Sequence, residues 1–125
     1  MARNQNKIRI LSEEEAKNLI SEITSKGDKL LVKLALNHGL RNSEAVSLKR
    51  KDFDLEDQTF WVEEGKRGKD RQLPIHPSME EELENYLDSL EREDYLFPSP
   101  VTDSHLSTRY FQKMVRRNAV NSGLY

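Results

Sequence analysis

The sequence predicts an α+β domain, a mainly helical bundle with a small three-stranded antiparallel sheet at one edge. Near both ends of the chain, apolar residues recur with the 3.6-residue period of amphipathic helices. Between these segments, residues 52–75 alternate in polarity, are rich in β-branched and aromatic side chains, and contain Gly65 and Gly68 as turn signals. The 125 residues suit one domain with a modest core. We expect residues 1–10 to be a flexible lead-in or linker stub and residues 11–125 to form the domain.

Three helices are predicted in the first part of the chain. Ser12 begins a capping box and therefore starts the first helix, which the pair Gly27-Asp28 is expected to break. A denser apolar stripe follows and predicts a central helix that ends at Gly39. Residues 42–44 are expected to cap a short third helix.

Three strands are predicted next, at residues 52–55, 59–62 and 71–75. The last two form a hairpin whose tip carries residues 66–69. Proline has no backbone N–H to donate, so Pro74 confines its strand to an edge of the sheet or ends it.

Two more helices complete the predicted fold. Ser78 begins a second capping box, followed by a helix with an apolar face and an acidic face. Ser107 is expected to cap a last helix that runs to about Asn121. The residues expected to face inward are Met79, Leu83, Tyr86, Leu87 and Leu90 in the fourth helix and Phe111, Met114, Val115 and Ala119 in the fifth.

Composition excludes several classes of site. The chain has no cysteine, so disulfides and thiolate metal sites are excluded, and its three histidines are too scattered to form a ligand pair on one helix face. We expect no metal site. No apolar run is long enough to span a membrane, and the first residues contain no apolar signal core. The expected location is therefore the cytoplasm, with no membrane partner.

Charge is segregated along the chain, although the overall net charge is only −2. Residues 65–77 carry four cations against Asp70, residues 105–125 carry four cations and no acid, and residues 78–94 carry eight acids against Arg92. Such a distribution predicts one basic face and one solvated acidic face, and a basic face is typical of nucleic-acid binding. Chance clustering on an ordinary charged surface stays open as an alternative.

Arg41 and Lys66 are candidates for chemistry on a phosphate. Arg41 follows the turn Gly39-Leu40 and leads into a helix start, while Lys66 lies at the hairpin tip. A guanidinium can hold two phosphate oxygens in its plane, and an ammonium can donate a proton to a leaving oxygen. Two ordinary interpretations stay open: a surface ion pair of Arg41 with Glu44, and a lysine at position 66 that only aids solubility.

Three stretches resemble one family. Residues 39–48 resemble the first arginine box of the tyrosine recombinases, the phage-integrase family, which reads Gly-Leu-Arg-x-Ser-Glu-x-x-x-Leu. Residues 52–54 match the family's Asp-φ-Asp strand, and residues 65–74 match its hairpin pattern, Gly-Lys-x-x-Lys-x-Arg-x-φ-Pro. The resemblance spans about residues 12–122, with the motifs in the family's order.

The resemblance implies a role for each matching residue. Arg41 would be the phosphate-binding first arginine, and Lys66 the catalytic lysine that contacts the base next to the break. Glu44 would support the arginine box from behind. The candidate DNA-binding residues are Lys69 and Arg71, as DNA contacts or hairpin supports, and Arg67, which replaces a residue that is often small.

The resemblance also implies a partner and a reaction. Full-length members assemble as tetramers on double-stranded DNA and exchange strands through a 3′-phosphotyrosyl intermediate, without metal or nucleotide cofactor. They require a His-x-x-Arg box and a nucleophilic tyrosine well downstream of the hairpin. The one His-x-x-Arg in these 125 residues, at residues 38–41, overlaps the first arginine box, and none follows the hairpin. We therefore expect a partial catalytic domain that binds DNA, is monomeric in free solution and cannot cleave DNA alone.

Two non-enzymatic alternatives remain from the sequence. The chain could be a DNA-binding or regulatory remnant of an integrase, without chemistry of its own. It could also be a general interaction module whose acidic helix, within residues 78–94, meets a basic partner.

Overall fold

The computed structural model describes residues 11–63 and 70–123. The described residues form five α-helices and three short strands. The helices are α1 (Glu13–Glu22), α2 (Lys26–His38), α3 (Asn42–Val46), α4 (Glu80–Leu87) and α5 (Thr108–Asn121), and the strands are β1 (Phe53–Asp54), β2 (Thr59–Val62) and β3 (Arg71–Pro74). The predicted α+β class is confirmed. The predicted lead-in at residues 1–10 lies outside the described residues.

The sheet is antiparallel with the strand order β1-β2-β3. Phe60 of β2 is fully buried and stacks on Phe53 of β1, with ring centroids 5.0 Å apart. Trp61 points the other way and is 45% exposed, as the two-residue period of a strand requires. β3 is an edge strand that ends at Pro74, which confirms the prediction drawn from that proline.

The boundary between α1 and α2 differs from the prediction. The capping box at Ser12 is present, since Ser12 Oγ accepts from the Glu15 N–H at 3.0 Å. Gly27 and Asp28, however, do not break a helix but lie in the first turn of α2. The Ser25 hydroxyl caps α2 by accepting from the Asp28 N–H at 3.3 Å, and an acidic residue in a first turn suits the positive end of the helix dipole.

The predicted cap at Ser78 is also wrong. Pro77 begins a short 3₁₀ turn, Pro77–Met79, and α4 starts only after it, with no side-chain cap at Met79. The Ser78 hydroxyl instead lies 2.8 Å from Nδ1 of His76. Proline is favoured at the first position of a helical turn, so the 3₁₀ turn begins at Pro77, upstream of the serine, and Ser78 lies inside it.

The core lies around α2, whose Leu30, Leu31 and Leu34 are fully buried. From the second half of the chain, every residue predicted to face inward is buried or half-buried. The fully or nearly buried ones are Met79, Leu83, Leu87, Phe111, Met114 and Ala119. α5 packs against α1 and α3, and its predicted Ser107 cap is confirmed by a 3.0 Å bond from the Tyr110 N–H.

The segment after α4 is joined to the segment before β1 by backbone hydrogen bonds. Arg50 N–H donates to the Asp94 carbonyl at 2.9 Å, and Lys51 N–H donates to the Arg92 carbonyl at 3.0 Å. Residues 90–97 therefore close one end of the fold against residues 48–51. None of the helices in the described part of the chain has the length and apolar character needed to cross a membrane.

Candidate functional site

Arg41 lies on the α2–α3 corner, which we define as residues 38–44. Gly39 ends α2 in the left-handed conformation, with φ 65° and ψ 36°, a region that glycine enters without steric cost. Leu40, 1% exposed, anchors the corner in the core. Arg41 follows with an extended backbone as the N-cap of α3, and it is exposed. The corner thus presents the guanidinium outward on a fixed backbone.

The side chain of Glu44 stabilises this corner from its buried side. Its side chain is only 8% exposed. One carboxylate oxygen, Oε1, accepts from the backbone N–H of Arg41 at 2.9 Å and so caps the start of α3. The sequence predicts a cap from residues 42–44. In the structure the N-cap residue is Arg41, one position earlier, and Glu44 supplies the side chain that caps its backbone N–H.

The same carboxylate is bound by the guanidinium of Arg71, the first residue of β3. Arg71 Nη1 donates to Oε2 at 3.0 Å and Nη2 donates to Oε1 at 3.3 Å. Burial disfavours ionisation of this carboxyl, but the hydrogen bonds from Arg71 and from the Arg41 N–H outweigh it, so the pKa of Glu44 lies below its usual value. Glu44 is ionised at neutral pH and joins α3 to the sheet.

The remaining predicted site residues lie outside the described residues. Lys66, Arg67 and Lys69 belong to the connection between β2 and β3. Val62 and Arg71 are paired across the two strands, so this connection starts and ends beside the residue that binds Glu44. The convergence of Arg41 and Lys66 on one phosphate stays a prediction.

A second contact joins the corner to the far end of β3. His38, the last residue of α2, donates from Nδ1 to the Leu34 carbonyl at 2.9 Å and accepts at Nε2 from the backbone N–H of His76 at 2.9 Å. Its ring also packs edge-on against Phe60, with centroids 4.9 Å apart. These bonds require the neutral imidazole with its proton on Nδ1. Burial, chiefly, lowers the pKa of His38.

α5 supplies a basic surface beside α3. Its cations all lie on the exposed face, and its sequence contains no acid. These cations are Arg109, Lys113, Arg116 and Arg117. α5 packs against α3, so these cations lie on a helix that neighbours the corner.

Two other features lie outside the predicted site. An open groove of about 380 Å³ lies between α2 and α4 and is lined by polar side chains, among them Lys26, Glu82 and Tyr86. Asn42 is buried, and its amide oxygen has no hydrogen-bond partner among the described residues.

Sequence reasoning missed the link from His38 to His76 and gave Arg71 two possible roles. Both contacts join residues 27 or more positions apart, so no local pattern reveals them.

Comparison with known protein families shows to which family the chain belongs. The profile of the phage integrase family matches residues 9–125, nearly the whole sequence. The chain therefore belongs to the phage integrase family, the tyrosine recombinases, as the resemblance predicted.

Curated relatives agree with this assignment. The chain is 38% identical over 122 residues to tyrosine recombinase XerA from Thermococcus kodakarensis, an alignment that covers 91% of this chain and 42% of that protein. It is 30% identical over 100 residues to the probable integrase/recombinase YoeC from Bacillus subtilis, covering 80% of this chain and 55% of YoeC. The chain thus spans less than half the length of the Thermococcus protein.

Solved structures share the fold. A crystal structure of XerA recombinase superposes with a TM-score of 0.74 at 30% sequence identity, covering 99% of this chain and 46% of the XerA chain. The integrase from mycobacterium phage Brujita has the same TM-score at 24% identity, covering 93% of this chain and 38% of that one.

Proposed function

We propose that this chain is the DNA-binding part of the catalytic domain of a site-specific tyrosine recombinase, and that it supplies Arg41 and Lys66 to the phosphate site. The family match over residues 9–125 carries the proposal. The rigid corner that presents Arg41 supports it, because a phosphate-binding arginine must be held in place before the substrate arrives. The partner is double-stranded DNA, and the protein acts in the cytoplasm.

The proposed chemistry divides between two cations. The Arg41 guanidinium grips two non-bridging oxygens of the scissile phosphate and stabilises the negative charge that grows on them. Lys66 contacts the neighbouring base and donates a proton to the leaving sugar oxygen. Lys69 and Arg67 contact the DNA backbone around this site. In the full-length enzyme a tyrosine from the remainder of the domain attacks the phosphate, and four protomers assemble on the DNA.

DNA binding by the chain itself tests this proposal. We expect a labelled DNA duplex of arbitrary sequence to bind with an affinity that falls steeply as salt is raised. Arg41→Gln should weaken binding and reduce the slope of log affinity against log salt by about one unit, because it removes a phosphate contact. Lys66→Gln should also weaken binding, because it removes the contact to the base next to the break. Titration by fluorescence anisotropy at several salt concentrations measures both. Light scattering should give the 14.6 kDa mass of a monomer for the free chain, which fixes the binding stoichiometry.

A matched control is Arg92→Gln. Arg92 is an exposed cation in the acidic segment, so its loss should leave both affinity and slope as in the parent. A salt-independent affinity, or equal losses for the Arg41 and Arg92 variants, would contradict the proposal. Retention of full affinity after Lys66→Gln and Lys69→Gln together would do the same.

A non-catalytic DNA-binding or regulatory remnant of an integrase is the second candidate. One observation favours it: no His-x-x-Arg follows the hairpin in these 125 residues, since His76 and His105 are followed at that spacing by Met79 and Thr108. The nucleotide sequence that follows the Tyr125 codon distinguishes the two. A continued reading frame with a His-x-x-Arg box and a later tyrosine supports the recombinase, whereas a stop codon supports the remnant.

A further inference from the structure

We propose that Arg71 is a positioning residue, which holds strand β3 against the corner that bears Arg41 by binding Glu44, and that it does not contact DNA. This inference rests on the proposed function only for its consequence, the alignment of two parts of a phosphate site. The interaction itself is a property of the folded chain.

The geometry of the pair carries the first step. Both terminal nitrogens of Arg71 donate to the two oxygens of one carboxylate, at 3.0 and 3.3 Å. Such a fork fixes orientation as well as distance, which a single point contact does not do. Glu44 is 8% exposed, so pulling Arg71 away toward a phosphate would leave a nearly buried carboxylate without its cation.

The second step concerns what the carboxylate does at the same time. Oε1 of Glu44 accepts from the Arg41 N–H at 2.9 Å and from Arg71. One oxygen therefore fixes both the backbone that bears Arg41 and the strand that leaves the hairpin. A displacement of β3 relative to α3 must break or bend this shared contact.

The third step is that β3 is fastened at both ends. Arg71 binds Glu44 where the strand begins, and the His76 N–H binds His38 just beyond its end. Among the described strands β3 pairs only with β2, so its contacts with the corner add restraints that this one ladder does not supply. Because the connection from β2 joins β3 next to Arg71, the pair fixes the start of β3 relative to Arg41.

The first arm of the test measures this geometry without DNA. The chain has no cysteine, so Ser43→Cys on α3 and Gln72→Cys on β3, both exposed positions, can be spin-labelled uniquely. We expect one narrow distance distribution by pulsed electron resonance. Arg71→Lys keeps the charge but loses the fork, and Glu44→Gln keeps an oxygen for the Arg41 N–H but loses the ion pair. Both should broaden the distribution.

The control is an ion pair of similar exposure elsewhere. Lys33 and Glu82 join α2 to α4 at 2.5 Å, with side chains 28% and 32% exposed. Lys33→Gln should leave the distribution as narrow as in the parent, although it also costs some stability. Circular dichroism confirms that each variant is folded at the temperature of measurement. Unchanged distributions in both Arg71→Lys and Glu44→Gln would overturn the proposal.

The second arm connects geometry to DNA. Arg71→Lys should weaken binding of the labelled duplex about fivefold with no change in salt slope, because the number of cations is unchanged while their alignment is lost. Arg71→Gln should likewise leave the slope unchanged if Arg71 makes no phosphate contact. A slope reduced by about one unit in Arg71→Gln, with full affinity in Arg71→Lys, would identify a direct DNA contact and refute the positioning role.

The two arms of the test distinguish failure of the proposed function from failure of the inference about Arg71. If the parent chain does not bind DNA, the proposed function fails, yet the distance measurements still decide whether Arg71 positions β3. If the distributions broaden as expected but Arg71→Lys binds DNA as tightly as the parent, the pair does not serve the phosphate site and the inference is wrong while the proposed function stands.

Discussion

Single residues near the corner have charge states that the fold imposes. His38 must stay neutral, because its Nε2 accepts from the His76 N–H and a protonated ring has no acceptor to offer. Glu44 must stay ionised, because two guanidinium nitrogens donate to it. Protonation of either side chain removes a contact between the corner and β3. Acid is therefore expected to loosen this part of the molecule first.

The pH dependence of stability follows from the lowered pKa of His38. Since the unfolded chain binds the proton more readily than the folded one, the stabilisation is fully present above the ordinary imidazole value of 6.5 and is lost as the pH falls below it. We expect the free energy of unfolding to decrease from pH 7 to pH 5, and to decrease less in His38→Gln. Urea denaturation at a series of pH values measures both.

His105→Gln serves as the control for this effect. His105 lies in the loop before α5, where its ring contacts Tyr95, so its replacement leaves the bond between His38 and His76 in place and tests whether the effect is specific to that bond. Identical profiles for the parent and His38→Gln would show that the bond to His76 does not depend on the charge of this ring.

At the scale of elements, the end of α2 depends on one glycine. The φ of +65° at Gly39 is strained for any residue with a Cβ, although a Cβ there would meet no atom within 4 Å. We expect Gly39→Ala to lower the free energy of unfolding by about 1 kcal/mol through backbone strain alone. Thermal or urea denaturation measures this loss.

Gly27 provides a matched comparison, because its replacement by alanine should change the free energy of unfolding in the opposite direction. It lies inside the first turn of α2, and a Cβ there would meet only the Tyr86 hydroxyl, at an ordinary 3.4 Å. Gly27→Ala should therefore raise the free energy of unfolding by about 0.5 kcal/mol, because the unfolded chain loses more freedom than the folded one. Losses of equal size at both positions would argue against conformational strain at Gly39.

Elements whose signals are local could be predicted from the sequence. The strands follow from period-two alternation, Pro74 marks the edge, and Ser107 and Asn121 bound α5 as expected. The start of α2 could not be predicted, because the Gly27-Asp28 pair resembles a break and only the cap at Ser25 shows otherwise. Where two local signals compete, tertiary packing decides between them.

Part of the candidate site could also be predicted, because some of its signals are local in the sequence. The motif around Arg41 and Glu44 is local, and the structure places both residues on one corner. The bond between Arg71 and Glu44 joins positions 27 apart, and periodicity carries no information about such pairs. Sequence patterns therefore predict which residues form the site, whereas the structure shows which of the described ones touch.

At the scale of the whole molecule, the chain is expected to bind DNA without cutting it. It matches the first arginine box and the hairpin motif but has no His-x-x-Arg after the hairpin, and catalysis by preorganised charge requires all the groups that surround the phosphate. We expect no covalent 3′-phosphotyrosyl adduct when the purified chain is incubated with a nicked DNA substrate that traps such intermediates. Denaturing gel electrophoresis after nuclease digestion detects the adduct.

Replacement of each tyrosine completes that test. An adduct that disappears in Tyr125→Phe would assign nucleophilic activity to this residue and would contradict the expectation. An adduct that survives all single tyrosine replacements would point to a contaminating activity in the preparation.

The backbone bonds between residues 48–51 and 92–96 have a consequence for synthesis. When the ribosome has released the hairpin, the amides of Arg50 and Lys51 and the carbonyl of Leu48 still face water, because their partners Asp94, Arg92 and Leu96 have not yet emerged. Residues 48–51, which lead into β1, can form these hydrogen bonds only after residues 92–96 have left the ribosome. Co-translational folding of this domain is therefore expected to finish late, with α4 and the strands reaching their native contacts in the same step.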